Sequence, residues 1–348
     1  MPELALQPGS WVFVTGVNGL IGSHIADQLL ARGYNVRGAV RDVEKCNWLK
    51  EYFDDKYSQQ DAAKFELVAV PDMAVEGCYD DVVKGTHGFI HVASPLHGPD
   101  ARVLVPLTVQ GALNAAKAAA KTPTVTRFVF TSSSIAATIP KPNVKFSIDA
   151  SSFNDAAVEK AFNYPADEPQ ELKGMYNYAA LKTAAERAMW KFVNEEKPGF
   201  VFNSVLPNAN YGKVLIPTQQ GTPSTIAWAH AAFTGELWDL HRSRIPPQYF
   251  IDTVDTALLH VSALIHASVS NERLFGFAEP FHWDKILGIF RRIYPERTFP
   301  ADDPADDRRD LMTVPNKRAE EVLGWVKGGG EGWTGLEVSL REMSEAWV

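Results

Sequence analysis

Residues 9–42 read "GSWVFVTGVNGLIGSHIADQLLARGYNVRGAVRD". A short apolar strand runs into a glycine-rich turn, an amphipathic helix follows and ends near Gly33, and a second strand begins; this order predicts a βαβ unit. Gly16, Gly19 and Gly22 stand where the strand gives way to the helix. Glycine there lets the backbone approach a pyrophosphate, and the helix N-terminus favours the anion. The spacing is G-x-x-G-x-x-G rather than G-x-G-x-x-G, but the strand, turn and helix are all present. We therefore read the turn, with Asn18, Leu20 and Ile21, as a dinucleotide cradle.

Working outward, strand-like runs recur at "KFELVAV", "GFIHVAS", "TRFVFTSS" and "FVFNSVLP", separated by helical stretches such as "VQGALNAAKAAAK". Strands alternating with helices predict an α/β fold, a doubly wound, mostly parallel sheet of the Rossmann kind. After about Pro207 the alternation loosens into loops ("GKVLIPTQQGTPS", "SRIPPQY"), an apolar helix ("DTALLHVSALIHAS") and an acidic, proline-marked loop ("FPADDPADDRRD"), which we read as solvated. The expected division is a dinucleotide-binding domain over 1–207 carrying the catalytic residues. A smaller substrate-binding lid follows over 208–348, with a segment near 245–270 returning to the first domain.

The chain has 348 residues, 45% of them hydrophobic and 22% charged, with a formal charge of −8. That mix is globular, and the negative balance argues against a nucleic-acid partner, whose affinity needs clustered Lys and Arg. Two cysteines without C-x-x-C spacing argue against a disulfide framework. The start "MPELALQPGS" lacks the features of a leader, and no apolar run is of bilayer length. The expectation is a soluble, cytoplasmic protein with no membrane partner. Nine histidines include no H-E-x-x-H and no clustered ligand set, so no metal is expected. His260 and His266, on the apolar helix, read as surface or satisfied core residues.

At the end of the second strand, where a carboxylate would grip an NAD ribose, the sequence places Arg41. A guanidinium there suits the 2′-phosphate of NADP, with Lys45 near enough to help. Asp42, turned inward onto a ribose hydroxyl, is the competing reading. Asp72 and Met73 follow the third strand as an adenine edge.

"FVFTSSSIAA" ends a strand on three serines, at the sheet edge where such folds bind ligands. "GMYNYAALKTAAER" (174–187) carries Tyr178 and, four residues on, Lys182. At about 100° per residue, Lys182 falls within the apolar stripe of Tyr178, Leu181, Ala185, Met189 and Phe192, while Arg187 and Lys191 take the outer face. A lysine on the inner face either snorkels to water or serves the phenol beside it. An ammonium one turn away would lower the phenol's pKa from its usual value near 10, which suits proton transfer to a carbonyl oxygen held by Ser133. Tyr176 has Ala180 at the same offset and cannot replace Tyr178.

With "TGVNGLIGS", "TSSS" and "YAALK" the chain resembles the extended short-chain dehydrogenase/reductase superfamily. "VRGAVRD", "HVASP" and "RFVFTSS" resemble dihydroflavonol reductases, and "IPKPNV", "VLPNANYG" and "PPQYF" yeast and fungal NADPH-dependent aldehyde and ketone reductases. The resemblance implies Ser133, Tyr178 and Lys182 as the catalytic set, NADPH as donor, and prochiral aldehydes, ketones or β-keto esters as the small-molecule substrates. It implies a supporting role for Asn114, against the plainer reading of a helix-packing amide. Ser134 is the alternative to Ser133, as in sugar-nucleotide epimerases similar in this region. We further assign Val92, Ala93, Ser94 and Pro207 to the cofactor, and Ser133, Ser134, Pro95, His97, Asn208, Trp228, Ile245 and Gln248 to the substrate. Monomer and homodimer stay open. The alternatives to a carbonyl reductase are an epimerase or dehydratase that retains NAD, and an NADP sensor without catalysis.

Overall fold

The computed structural model describes residues 3–58, 63–95, 100–330 and 332–348. In chain order the first part contains β1 (Trp11–Thr15), α1 (Leu20–Leu30), β2 (Asn35–Val40), α2 (Asn47–Lys56), β3 (Phe65–Ala69), β4 (Gly88–His91), α3 (Ala101–Ala120), β5 (Arg127–Thr131), α4 (Asp155–Phe162), α5 (Gln170–Glu196) and β6 (Val201–Pro207). There follow β7 (Ala209–Tyr211), α6 (Pro217–Gln220), α7 (Ile226–Thr234), α8 (Trp238–Arg244), β8 (Gln248–Asp252), α9 (Thr253–Ile265), β9 (Arg273–Gly276), β10 (Glu279–Phe281), α10 (Trp283–Ile293), α11 (Lys317–Val326) and α12 (Leu336–Ser344).

Seven strands form one parallel sheet in the order β3-β2-β1-β4-β5-β6-β9. The doubly wound fold is as expected. Its central strands are buried on both faces, which is why they read as continuous apolar runs. The two-residue alternation sorts their side chains. Val12, Val14, Val36, Ile90 and Val129 face α1, α9 and α11, whereas Phe13, Phe89, Phe128, Phe130 and Phe202 face α3 and α5. The strand order reverses between β1 and β4, so the crevice beyond their C-terminal ends is the place for a ligand.

Elements after residue 207 do two things. The helix α9 packs on α1, β5 and β6, and β9 adds the seventh strand. The rest builds a second sheet, β10-β8-β7, whose aromatic core of Tyr211, Phe250, Phe281 and Trp283 joins side chains of α7, α10 and α12. The acidic loop is only partly solvated: Asp303 and Asp306, with Asp284 of α10, surround the largely buried Arg242 of α8 at 3.5–3.7 Å. Among the described residues, no helix is long and apolar enough to cross a membrane.

Candidate active site

The turn from β1 to α1 is closed by steric necessity. Gly16 has φ +64°, and a Cβ on it would lie 3.1 Å from the Ala93 nitrogen at the end of β4. A Cβ on Gly22 would lie 2.2 Å from the Gly16 carbonyl. Both positions therefore need glycine. Gly19 caps α1 with no side chain, and the N–H groups of Leu20, Ile21 and Gly22 have no backbone acceptor among the described residues. Beside them the Thr15 hydroxyl accepts from Val92 N (3.0 Å) and Ala93 N (3.1 Å) and bonds the His91 ring (3.0 Å), tying β1 to β4 across the switch point.

At the end of β2 the exposed Arg41 guanidinium makes no hydrogen bond or ion pair among the described residues. Asp42 is occupied: it accepts from Lys45 N at 3.2 Å and pairs with Lys45 Nζ at 3.3 Å, contacts that hold its carboxyl below the usual carboxylate range. After β3, Asp72 caps its own turn by accepting from Ala74 N (2.8 Å). Asn114, on α3, ties that helix to the segment after β3. Its Nδ2 donates to the carbonyls of Met73 and Val75, both at 3.0 Å, and so holds the segment read as the adenine edge.

The three serines after β5 have three surroundings. Ser132 turns inward and donates to Glu186 Oε2 at 2.8 Å. Ser133, 9% exposed, sets its hydroxyl against the Tyr178 phenol. Ser134 is half-buried, opens the short turn 134–136, and its carbonyl accepts from Ala137 N and Thr138 N. Of the two candidate serines, Ser133 is the one that meets Tyr178. Tyr176 points elsewhere, its ring against the Lys160 ammonium at 4.5 Å and the Tyr164 ring at 5.9 Å.

Lys182 is 4% exposed and so does not snorkel. Its ammonium donates to the Thr131 carbonyl at 3.1 Å and lies 6.0 Å over the Phe130 ring. Burial pushes it down to about 8, against the pull of the Glu186 carboxylate. The expected lowering of the phenol by this ammonium is not what the chain alone exhibits. Burial is the leading influence on Tyr178 and raises its pKa, while Ser133 opposes the rise. The ammonium is turned to Thr131 instead.

Beneath the trio lies a polar layer that sequence reading missed. Glu186, fully buried one turn beyond Lys182, accepts from Ser132, from Ser204 (2.7 Å) and from Arg273 through two nitrogens (2.8 and 2.9 Å). Its place in the stripe at i+4 from Lys182 was the available signal. His260, fully buried, donates from Nδ1 to Thr256 O (2.7 Å) and accepts the Thr131 hydroxyl at Nε2 (2.8 Å), as a satisfied core residue. Burial pushes His91 down to about 3 and His260 to about 4, so both are neutral beside Lys182.

Of the residues assigned to a substrate, Asn208 is buried after β6, bonded through its N–H to Gly276 O at 3.1 Å. Trp228 is half-buried against the small-sheet core, and Ile245 ends α8 with its carbonyl accepting from the Trp283 indole at 3.0 Å. Gln248, 9% exposed, starts β8 and donates to Pro246 O at 3.2 Å. Ser94 donates to Pro95 O at 3.3 Å, and Pro207 ends β6. His97 lies outside the described residues. No group of three or more His, Cys, Asp or Glu side chains among the described residues could hold a metal ion.

The model of the NAD dependent epimerase/dehydratase family matches residues 12–264. Aldehyde reductase 2 of Sporidiobolus salmonicolor is 41% identical over 342 residues, covering 97% of this chain and 96% of the relative. The ketoreductase adrE of Penicillium rubens is 39% identical over 340 residues, covering 96% of each. Among solved structures, yeast methylglyoxal/isovaleraldehyde reductase Gre2 complexed with NADPH superposes with a TM-score of 0.76 at 23% identity, covering 96% of this chain and 97% of that one, which speaks for the fold. A glycine cradle at the switch point and a serine, tyrosine and lysine at the neighbouring strand end thus sit in a chain that belongs to the NAD dependent epimerase/dehydratase family.

Proposed function

We propose that the protein is an NADPH-dependent carbonyl reductase acting on aldehydes or ketones. The observation that carries the reading is the Tyr178 phenol against the Ser133 hydroxyl, with a buried Lys182 one turn on in the same helix and a glycine cradle whose first N–H groups have no backbone acceptor among the described residues. The residues fit the dinucleotide: the N–H groups of Leu20, Ile21 and Gly22 suit its pyrophosphate, and the unpaired Arg41 suits a 2′-phosphate. The names of the relatives, reductases of aldehydes and ketones, support the same reading.

NADPH, when bound, supplies the hydride. The chain's own task is the oxygen. As a carbonyl carbon gains hydride its oxygen gains charge, and a pre-aimed donor stabilises it more than water does. Ser133 Oγ donates to that oxygen, and Tyr178 Oη gives it the proton. Burial raises Tyr178, so the phenol is protonated at neutral pH, the form an acid must have. Lys182, one turn along the same helix and charged below about pH 8, supplies the positive charge nearest in sequence to the phenolate left behind, once its ammonium turns from the Thr131 carbonyl. Trp228, Ile245 and Gln248 wall the substrate.

The test is consumption of NADPH and of NADH, followed by nicotinamide absorbance, against aryl ketones, β-keto esters and aliphatic and aromatic aldehydes. Carbonyl-dependent consumption that favours NADPH is expected. No consumption by a protein that binds NADPH overturns the proposal.

A further inference from the structure

Gln220 lies at the end of the four-residue α6, about two hundred residues beyond the glycine turn, yet its side chain is spent on that turn. Its Nε2 donates to Asn18 O (3.2 Å), Gly19 O (3.3 Å) and Ser23 Oγ (3.0 Å), and its Oε1 accepts from Ile216 N (3.0 Å). The amide thus binds the 216–220 segment to the cradle through both ends. A second tie runs parallel to it. His24 of α1, kept neutral by burial that pushes it down to about 4, bonds Lys213 O through Nε2 at 2.7 Å.

The geometry points to Gln220 as a positioning residue for the cofactor's pyrophosphate, held out from the substrate-side half of the chain. This rests on the reading of the cradle as a dinucleotide site. A trans peptide sets its N–H opposite its C=O. With the Gly19 carbonyl drawn toward Gln220, the Leu20 N–H turns to the other side of the strap, where it is free to meet an anion. The Asn18 carbonyl, bonded to the same amide, removes the other freedom of the turn. Within α1 the Ser23 N–H also bonds the Gly19 carbonyl, at 3.0 Å, but the glycine N-cap adds no side chain, so the side-chain tie on this turn comes from Gln220. The strap continues through residues 221–225 into α7, which carries Trp228, so the cradle and the substrate wall share one stretch of chain.

The experiment uses the full chain and two probes, NADPH and 2′-AMP, the latter sharing the adenine and 2′-phosphate but lacking a pyrophosphate. Dissociation constants are measured by calorimetry for the wild type, Gln220→Ala, Gln220→Met and the neighbouring Gln219→Ala. Loss of the amide is expected to weaken NADPH about tenfold in both Gln220 variants, the size of a net hydrogen bond or two. Binding of 2′-AMP should stay within about twofold, and Gln219→Ala should bind both probes as the wild type does. Gln220→Met keeps the length and the packing, so NADPH binding restored by methionine overturns the proposal. So does unchanged NADPH binding in both variants, or equal weakening of both probes, which marks general loosening. A wild-type protein that binds 2′-AMP and NADPH equally poorly overturns the dinucleotide reading itself, a different result from failure of Gln220 alone.

Discussion

The cofactor side and the substrate side of the crevice are built differently. The proposed cofactor side is nearly contiguous: a strand, a turn, a helix and a second strand, closed by a glycine whose replacement would set a Cβ 2.2 Å from a carbonyl, and ended by Arg41. The residues proposed for the substrate come from separate stretches, Asn208 after β6, Trp228 on α7, and Ile245 and Gln248 at the turn from α8 to β8. Ser133 follows β5, and Tyr178 and Lys182 stand one turn apart inside α5. A contiguous cradle with two positions that admit no Cβ suits a ligand that never changes, and the proposed wall of side chains on separate elements would leave room for substrate to vary.

Substitutions can break or sharpen that contrast. The largest effect belongs to the centre: Tyr178→Phe removes the proton donor and should lower kcat roughly a thousandfold for every carbonyl, with NADPH binding kept. A variant that keeps its rate on one substrate would show a second acid. Next comes the layer beneath. Glu186→Gln leaves Arg273, whose side chain is 5% exposed, without a buried counter-charge and should cost about 3–5 kcal/mol in denaturant unfolding. A loss below about 1 kcal/mol would show that the serines, not the ion pair, hold Glu186.

On the cofactor side, Arg41→Ala should cut the preference for NADPH over NADH by about ten- to a hundredfold, equally for every carbonyl. On the substrate side, Trp228→Ala should change kcat/KM by up to about tenfold and unequally across carbonyls, leaving NADPH binding as it was. An even effect across the panel would erase the distinction between the sides. The smallest effect is a pH dependence. Lys182 is charged below about pH 8 and loses its proton above, so reduction should fall as pH rises through that value while NADPH stays saturating. A rate flat up to the pKa of an ordinary lysine would show that its charge plays no part.

What the sequence revealed was local. The glycine spacing and the strand–helix alternation carry the sheet, and the i,i+4 relation of Tyr178 and Lys182 survives folding because it lies within one helix. The partner of Lys182 was not legible: its ammonium meets the Thr131 carbonyl, and backbone acceptors leave no mark in a sequence. Glu186 and Arg273 are 87 residues apart, Gln220 and the cradle about two hundred, and such pairings exist only once the chain has closed. The acidic loop read as solvated because carboxylates usually are, yet Asp303 and Asp306 meet an arginine of α8. Strands β7 and β10, three residues each, are too short to show a period.

The central claim is that this site moves hydride to a carbonyl carbon and a proton from Tyr178 to its oxygen. It is tested most directly with NADPH deuterated at the transferable position of the nicotinamide and a ketone that the protein consumes. One deuterium on the carbinol carbon of the alcohol for each NADPH oxidised is the predicted result. An alcohol without deuterium, or a protein that binds the dinucleotide and reduces none of the aldehydes or ketones offered, would contradict the account.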